Sequence, residues 1–581
     1  MTGPLQISIA KDLRWGKDPK LDAWINHFKT ENNVEYLLNP EKVASDEQLR
    51  FMVALGEDQA FFPCSDETLH LLIQKTPPKE LIHEYNRIWR FIIKLVRHHG
   101  LDKYNEQRII QYCRHRFKHH LASRIMIPSR LVKRLASIAL TQLALEDPYE
   151  ERKQRENKRA LNFLRKSSTD KLIHSCPPEC AVCTDTRELR GDLDFLELKR
   201  LLYLSTMNSL WEDASPSQLD VEQELQKPCG ECSHLRLLLG TEDDEPKKVL
   251  YLPDTSGGFV FDLIIIRRLL RMGHQVVLAL KAGFLFSTPT MWDTTSDPVL
   301  KELISGAHVL PDMVISKKGL LQQLREHRFL IISDGTREQL NLYKTSVTFA
   351  RAWKECDLVL AKGGRNFQNL IQCSHEFTRD IASFHRDKEG KFRLHCKTRA
   401  RSVRKFTEAD LTGMADRIIS NMREAKAQGR TVMFYSAVIG SIPGQTKAAV
   451  RVVDTFVQHL RSKLDNAFII NPAEHFEEGM DGDDLMFMWE RVQRSGLLDV
   501  WRFQTVEDVE ASFALMGKKV PPMWSGKDST FSTGCTQEMR IALETQKRHP
   551  ELQIIGPSAE KFFRRAEYGI GKYYDVGIKV M

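Results

Sequence analysis

No run of about 18 uninterrupted apolar residues, the length a membrane-spanning helix needs, occurs in the 581-residue chain. The longest candidates, Phe259–Ile266 and Val276–Leu280, are short and flanked by Arg and Lys. The first residues reach Lys11, Asp12 and Arg14 before any apolar core of signal-peptide length, so export is not expected and a cytoplasmic, reducing setting is. Internal repeats and low-complexity tracts are also lacking. With 42% apolar and 28% charged residues, global disorder and collagen-like or coiled-coil architectures are excluded. At about 150 residues per domain the length predicts roughly three or four folded units.

The formal charge of +8 is unevenly placed. Residues 1–170 hold 29 Lys and Arg against 22 Asp and Glu, so nearly all of the excess lies in the first third. Residues 85–134 carry 13 Lys and Arg, with Asp102 and Glu106 as the acids. A clustered basic surface meets phosphates or acidic partners. Here the cations are spread at helical spacing among Ile, Leu and Trp89, which favours a solvated helix face over a nucleic-acid surface.

From about 20 to 165, apolar residues recur every three or four positions (Ile82, Tyr85, Trp89, Ile92, Ile93, Val96), which predicts a helical N-terminal region over 1–170. Within it Glu146–Lys166 is charge-dense and predicts an exposed helix or connector. A cysteine-rich segment occupies 171–245. From 248 the runs KKVLYLP, HQVVLALKAG, HRFLIISDGT and CDLVLAKGG alternate with helix-like segments, the pattern of a parallel sheet built from βαβ units. This core is placed at 246–405, with Lys388–Lys405 as a polar connector. A helix from about Thr407, then TVMFYSAVIG, NAFIINP, VWRFQT and LQIIGP, predict a second lobe at 406–581. The expected class is α/β: a parallel-type α/β/α sheet domain, a helical N-terminal region, a Cys-rich zinc-like insert and a C-terminal α/β lobe.

Five of the 11 cysteines form two knots, Cys176-x3-Cys180-x2-Cys183 and Cys229-x2-Cys232, with His234 just beyond. A Cys-x2-Cys turn offers two thiolates to one ion, and two such turns fill a tetrahedral site. The expectation is structural Zn2+ through Cys180, Cys183, Cys229 and Cys232, with Cys176 or His234 as a fifth candidate; an iron–sulfur cluster uses the same thiolates.

A parallel sheet gathers functional groups at the carboxyl ends of its strands. The first strand ends in Asp254-Thr255-Ser256-Gly257-Gly258, and a later loop carries Asp293-Thr294-Thr295. A third strand ends in Ser333-Asp334-Gly335, and the fourth ends in Lys362-Gly363-Gly364-Arg365-Asn366. Carboxylates beside helix N-termini suit a divalent cation and a phosphate, while Lys and Arg neutralise phosphoryl oxygens. Taken singly, each loop is better read as structural, with Asp254 and Asp293 as helix N-caps and the glycines serving turns. The four loops together point to a hydrolytic site. In the second lobe the order Gly-Gln-Thr-Lys at 444–447 departs from the Walker pattern, so a nucleoside triphosphate is not expected there.

The segments LPDTSGGFVFDLIIIRRLLRMGHQVVLALKAG, PTMWDTTSDPVLKELI and CDLVLAKGGRNFQNLI resemble the metal-binding domain of the damage-control phosphatases, the ARMT-like group once known only as a domain of unknown function. The likeness covers about 250–375. It implies an α/β fold and a metal-dependent phosphatase, with Mn2+, Mg2+, Co2+ or Ni2+ at Asp254 and Asp293 and a small phosphorylated metabolite as substrate. Asp334 would assist as a third catalytic carboxylate, and Lys362, Gly363, Arg365 and Asn366 would hold the phosphate. Two departures stand out: the family's Asn ligand is Thr255 here, and the acid often found later in that loop is Gly258. They motivate a second expectation, a weakened ligand-binding or regulatory protein of the same fold.

Overall fold

Runs of Val, Leu and Ile without polar alternation require cover on both faces of a sheet. The computed structural model supplies it. It describes the chain except residues 1–8, 35–41, 57, 75, 77, 99, 176–185, 213–217, 227–230, 242, 443–444 and 568–581. The chain divides into two units, Met1–Arg401 and Ser402–Met581.

In the first unit seven strands, β1 (Lys248–Leu252), β2 (Gln275–Leu280), β3 (His308–Leu310), β4 (Phe329–Ser333), β5 (Leu358–Lys362), β6 (Asp380–Arg386) and β7 (Phe392–Lys397), lie in the order β3-β4-β2-β1-β5-β6-β7. All pairings are parallel except β6 with β7. Alternate residues of β1 serve opposite cores, Val249 and Tyr251 on one face and Leu250 and Leu252 on the other.

Upstream stand α1 (Lys79–Arg97), α2 (Lys103–Ser123) and α3 (Pro128–Leu143), which share a core around Tyr85, Ile92, Phe117 and Leu135. Two further helices, α4 (Glu150–Leu164) and α5 (Thr186–Ser205), pack on α6 (Gly258–Arg271), which follows β1.

Two expectations are corrected here. The charge-dense stretch 146–166 is not an exposed connector. Helix α4 buries Lys153, Glu156, Asn157, Ala160 and Leu161, a stripe at helical spacing whose polar members find partners. The segment 388–405 is no mere connector either, because it contains the antiparallel edge strand β7. Phe392 and Leu394 face the core while Arg393 is exposed, so the basic residues of an edge strand masked its apolar side. No helix among the described residues is long and apolar enough to cross a membrane.

The second unit has four parallel strands, β8 (Thr431–Ser436), β9 (Ala467–Ile470), β10 (Val500–Phe503) and β11 (Gln553–Ile555), in the order β11-β10-β8-β9. Helix α7 (Glu408–Ala427) opens with a capping box between Thr407 and Asp410. Glu538, on α8 (Thr533–Arg548), is buried beside the end of β8. Gln493 donates to it (2.9 Å), and Trp501 donates to Ser436 Oγ (2.8 Å), whose hydroxyl supports the same carboxyl group.

Burial raises the Glu538 pKa from 4.5 to about 7, outweighing the hydrogen bonds from Ser436, Gln493 and Cys535. The folded chain therefore keeps a proton that the unfolded chain has released, and stability is withdrawn as pH climbs through that interval. Urea unfolding at about pH 5 and about pH 8 should show the wild type losing on the order of 3 kcal/mol relative to Glu538→Gln. Parallel pH profiles for the two proteins would contradict this.

Candidate active site

Strand order places the topological switch point of the first unit between β1 and β5, the position where parallel α/β sheets open a crevice for ligands. Asp254 leaves β1 at that crevice and Lys362-Gly363 leaves β5 beside it. The approach of the two loops demands glycine. Gly363 has φ +96°, and a Cβ there would stand 2.3 Å from Cγ of Asp254. A Cβ on Gly258 would stand 2.6 Å from Nζ of Lys362.

Asp254 is partly accessible, and among the described residues no group hydrogen-bonds or ion-pairs with its carboxylate. Its deep setting raises its pKa, against the pull of Arg365 and then of Lys362. Arg365 is exposed at the start of the helix Gly364–Leu370. Lys362 is buried and paired with Asp262 on α6 (2.8 Å). Burial pushes Asp262 up to about 6, opposed by Lys362 and by the Tyr251 hydroxyl. Asn366 is half-buried and donates from Nδ2 to the Lys362 carbonyl (2.8 Å), while Thr255 is half-buried.

Asp293 is differently placed. Lys153 Nζ on α4 lies 2.6 Å from both its carboxylate oxygens and 2.5 Å from Asp147. Thr290 adds bonds from its amide (2.7 Å) and hydroxyl (2.9 Å) to Oδ2. One turn along α4, Asn157 donates to Asp297 (2.7 Å) and accepts from the Gly257 amide (2.7 Å). Ser256 reaches the same region through its bond to the Ser287 carbonyl (2.7 Å). Helix α4 thus ties the β1 loop to the loop that carries Asp293.

Neither aspartate is an N-cap: Gly257 caps α6, and Trp292 precedes the short helix Asp293–Ser296. Asp334 follows β4, two strands or about 10 Å from β1 along the sheet edge. Its carboxylate takes Lys281 (2.6 Å) and the Thr336 amide (2.8 Å) and hydroxyl (2.9 Å). Asp254, Thr255, Lys362, Gly363, Arg365 and Asn366 therefore gather at the crevice. Asp293 lies on the adjoining loop in an ion pair, and Asp334 lies apart in another.

Sequence reasoning missed Lys153, Asn157 and Asp262. The signals were an i, i+4 pair of polar residues in a helix otherwise read as solvated, and one acid inside the apolar run Phe259–Ile266.

Of the cysteines expected to hold zinc, Cys176, Cys180, Cys183 and Cys229 lie outside the described residues. Cys232 begins the helix Cys232–Leu239, is buried and is disulfide-bonded, a state in which its sulfur offers no thiolate. His234 is exposed. Among the described residues one His-containing group offers ligands to an ion: Glu31, His119 and His120, with ligand atoms within 4.8 Å of one another.

The donors at the crevice suit a hard cation. Among the described residues Asp254 is a carboxylate without a counter-charge in contact, and Thr255 adds a hydroxyl; both oxygens of Asp293 are instead taken by Lys153.

A family model for the damage-control phosphatase ARMT1-like domain matches residues 83–389, more than half of the chain. The chain belongs to this family. It is 22% identical over 244 residues to an uncharacterized protein of Methanocaldococcus jannaschii. That match covers 40% of this chain and 65%, just under two thirds, of the relative. A crystal structure of a DUF89 family protein from Pyrococcus horikoshii aligns with 54% of this chain and 92% of its own, at 20% identity and a TM-score of 0.37. The matched span of the ARMT1-like domain begins in α1 and ends just before β7, so it contains every crevice residue and both Lys153 and Asn157.

Removing the ammonium between Asp147 and Asp293 leaves two carboxylates with no buried counter-charge. Lys153→Met should cost about 3–5 kcal/mol in denaturant unfolding, and added Mn2+ should restore part of it. A loss below about 1 kcal/mol would show that the pair is solvated and weak.

Proposed function

We propose that the first unit is a metal-dependent phosphatase acting on the phosphomonoester of a small metabolite, in the cytoplasm. The observation that carries this reading is Asp254: a partly accessible carboxylate at the switch point, unpartnered among the described residues, with an exposed guanidinium and a buried ammonium close by. A divalent cation on Asp254 and Thr255 (Mn2+, Mg2+, Co2+ or Ni2+), with Asp293 when Lys153 lets go, would supply positive charge at a phosphoryl oxygen and acidify a bound water.

The chain's own groups do the rest. Arg365 meets the phosphoryl oxygens from the open side, as a planar donor suited to them. Lys362 is anchored by Asp262 and holds positive charge beneath the site. Asn366 braces the Lys362 backbone, and Gly363 leaves room for Asp254. Asp334, tied to Lys281 and Thr336, shapes the neighbouring loop. Zinc at the cysteine knots remains a separate structural proposal that requires reduced sulfur at Cys232.

A second reading has its own support. Lys153 already satisfies Asp293, and Thr255 is a poorer ligand than an amide carbonyl, features that suit a ligand-binding or regulatory protein with weakened chemistry.

Hydrolysis of p-nitrophenyl phosphate with Mn2+ or Co2+ separates the two. The phosphatase reading expects turnover that falls about 100-fold or more in Asp254→Ala, with Arg365→Ala acting mainly through KM. Thr255→Asn should strengthen dependence on the cation. Ligand-induced thermal stabilisation with no turnover in wild type or Thr255→Asn supports the second reading instead.

A further inference from the structure

The basic stretch between 85 and 134 also carries histidines, and two of them stand beside an acid from another helix. His119 and His120 lie in the last turn of α2, and Glu31 ends the helix Pro19–Glu31. Asn32, fully buried, fastens the two helix ends together. Its Nδ2 donates to the carbonyls of Phe28 and Ile125 (3.0 Å each), and its Oδ1 accepts from the Ile127 amide (2.8 Å). The neighbouring Glu31 is thereby held against the end of α2. That end is itself fixed, because the Arg124 amide (3.0 Å) and the Ser123 hydroxyl (3.2 Å) both donate to the His120 carbonyl.

One ligand atom from each of Glu31, His119 and His120 lies within 4.8 Å of the others. Two imidazoles and a carboxylate suit Zn2+, whose bonds of about 2.0–2.2 Å put tetrahedral ligands about 3.3 Å apart. His120 Nδ1 stands 3.9 Å from Glu31 Oε2, and His119 is exposed, so rotation of its ring can close the rest.

A second observation points to the same spot. His120 is 3% exposed, and its Nδ1 has no hydrogen-bond partner among the described residues. A buried polar atom left unmet is rare and costly. Burial, and then the charge of Arg134, brings the His120 pKa down to about 4, so the ring is neutral near pH 7, the form that ligates a metal.

The other ring nitrogen faces an opposing group. NH1 of Arg134 lies 3.4 Å from His120 Nε2. A guanidinium only donates, so Nε2 holds the lone pair in this arrangement and Nδ1 the proton. An ion on Nδ1 reverses the tautomer and sends that proton to Nε2, and the half-buried Arg134 must then turn aside.

We infer that Glu31, His119 and His120 bind Zn2+. The site shares no residue with the crevice, and it ties the helix Pro19–Glu31 to α2. Three protein ligands leave a fourth position for water.

Zn2+ titrated calorimetrically into the full chain is the direct probe. Co2+ absorption is the second readout, because nitrogen and oxygen ligation lacks the charge-transfer band that cysteine thiolates give. His119→Gln and Glu31→Gln, each at a position with access to solvent, should weaken this binding about tenfold or more. Arg134→Gln should tighten it, since the change removes the opposing charge and offers the Nε2 proton an acceptor. Asp254→Ala should leave it unaltered. The rival site is His115 with His119, an exposed i, i+4 pair on the outer face of α2. Weakening in His115→Gln without weakening in Glu31→Gln would place the ion there and overturn the assignment. Absent Zn2+ binding in wild type, an isotherm indifferent to both His119→Gln and Glu31→Gln, or looser binding in Arg134→Gln also overturns it.

Discussion

The mouth of the crevice depends on one turn of α4. Lys153 and Asn157, four residues apart, join Asp147, just before α4, to two segments far away in sequence: Lys153 holds Asp293 to Asp147, and Asn157 holds Asp297 to the backbone of Gly257. A buried ion pair adds little net stability against an apolar equivalent, yet it is costly to break from one side. Its value lies in position. Without these bonds nothing described on α4 would couple the β1 loop to the segment that carries Asp293.

The same logic sorts the charges along the sheet edge. Lys362 belongs to Asp262, Lys281 to Asp334, Lys153 to Asp293 and Asp147, and Arg130 to Glu338. Each pair neutralises a group that the fold has buried. Among the described residues, what remains uncommitted at the crevice is one carboxylate, Asp254, and one guanidinium, Arg365. Opposite charges left open at the same rim suit a phosphate ester with a cation, because the carboxylate draws the cation and the guanidinium draws the ester. A structural network would have closed them on each other.

The central strands were legible because a strand buried on both faces leaves a plain mark, an unbroken apolar run that ends in Gly, Asp or Lys. β1, β2, β4 and β5 all carry it; in the second unit β8 comes nearest, while β10 holds Arg502 and β11 is exposed at both ends. β7 does not, since an edge strand exposes every other residue and here those residues are basic. β3 is three residues long, too short for any pattern. The loops of the crevice were legible as loops, but the partners of their side chains were not. Asp293 looks the same in sequence whether it faces a cation or Lys153, and the lysine lies 140 residues upstream. Spacing along a chain reports faces of helices and strands. It does not report which distant charge arrives opposite.

Two features near the crevice carry different weight: Thr255, which stands where the family has Asn, and Lys153, which engages Asp293. As a ligand, Thr255 would offer an oxygen of lower donor strength than an amide carbonyl, a graded change that a hard cation tolerates. Lys153 acts differently, because its ammonium engages both carboxylate oxygens of Asp293 and balances the charge that would otherwise attract an ion. On the proposed phosphatase reading, Lys153 and a bound cation would compete for the Asp293 carboxylate. If the ammonium is to leave, it must remain paired, and Asp147 at 2.5 Å gives it a carboxylate to remain with. The pairing with Asp147 therefore makes exchange at Asp293 physically reasonable: the lysine can surrender one acid without becoming an isolated buried charge.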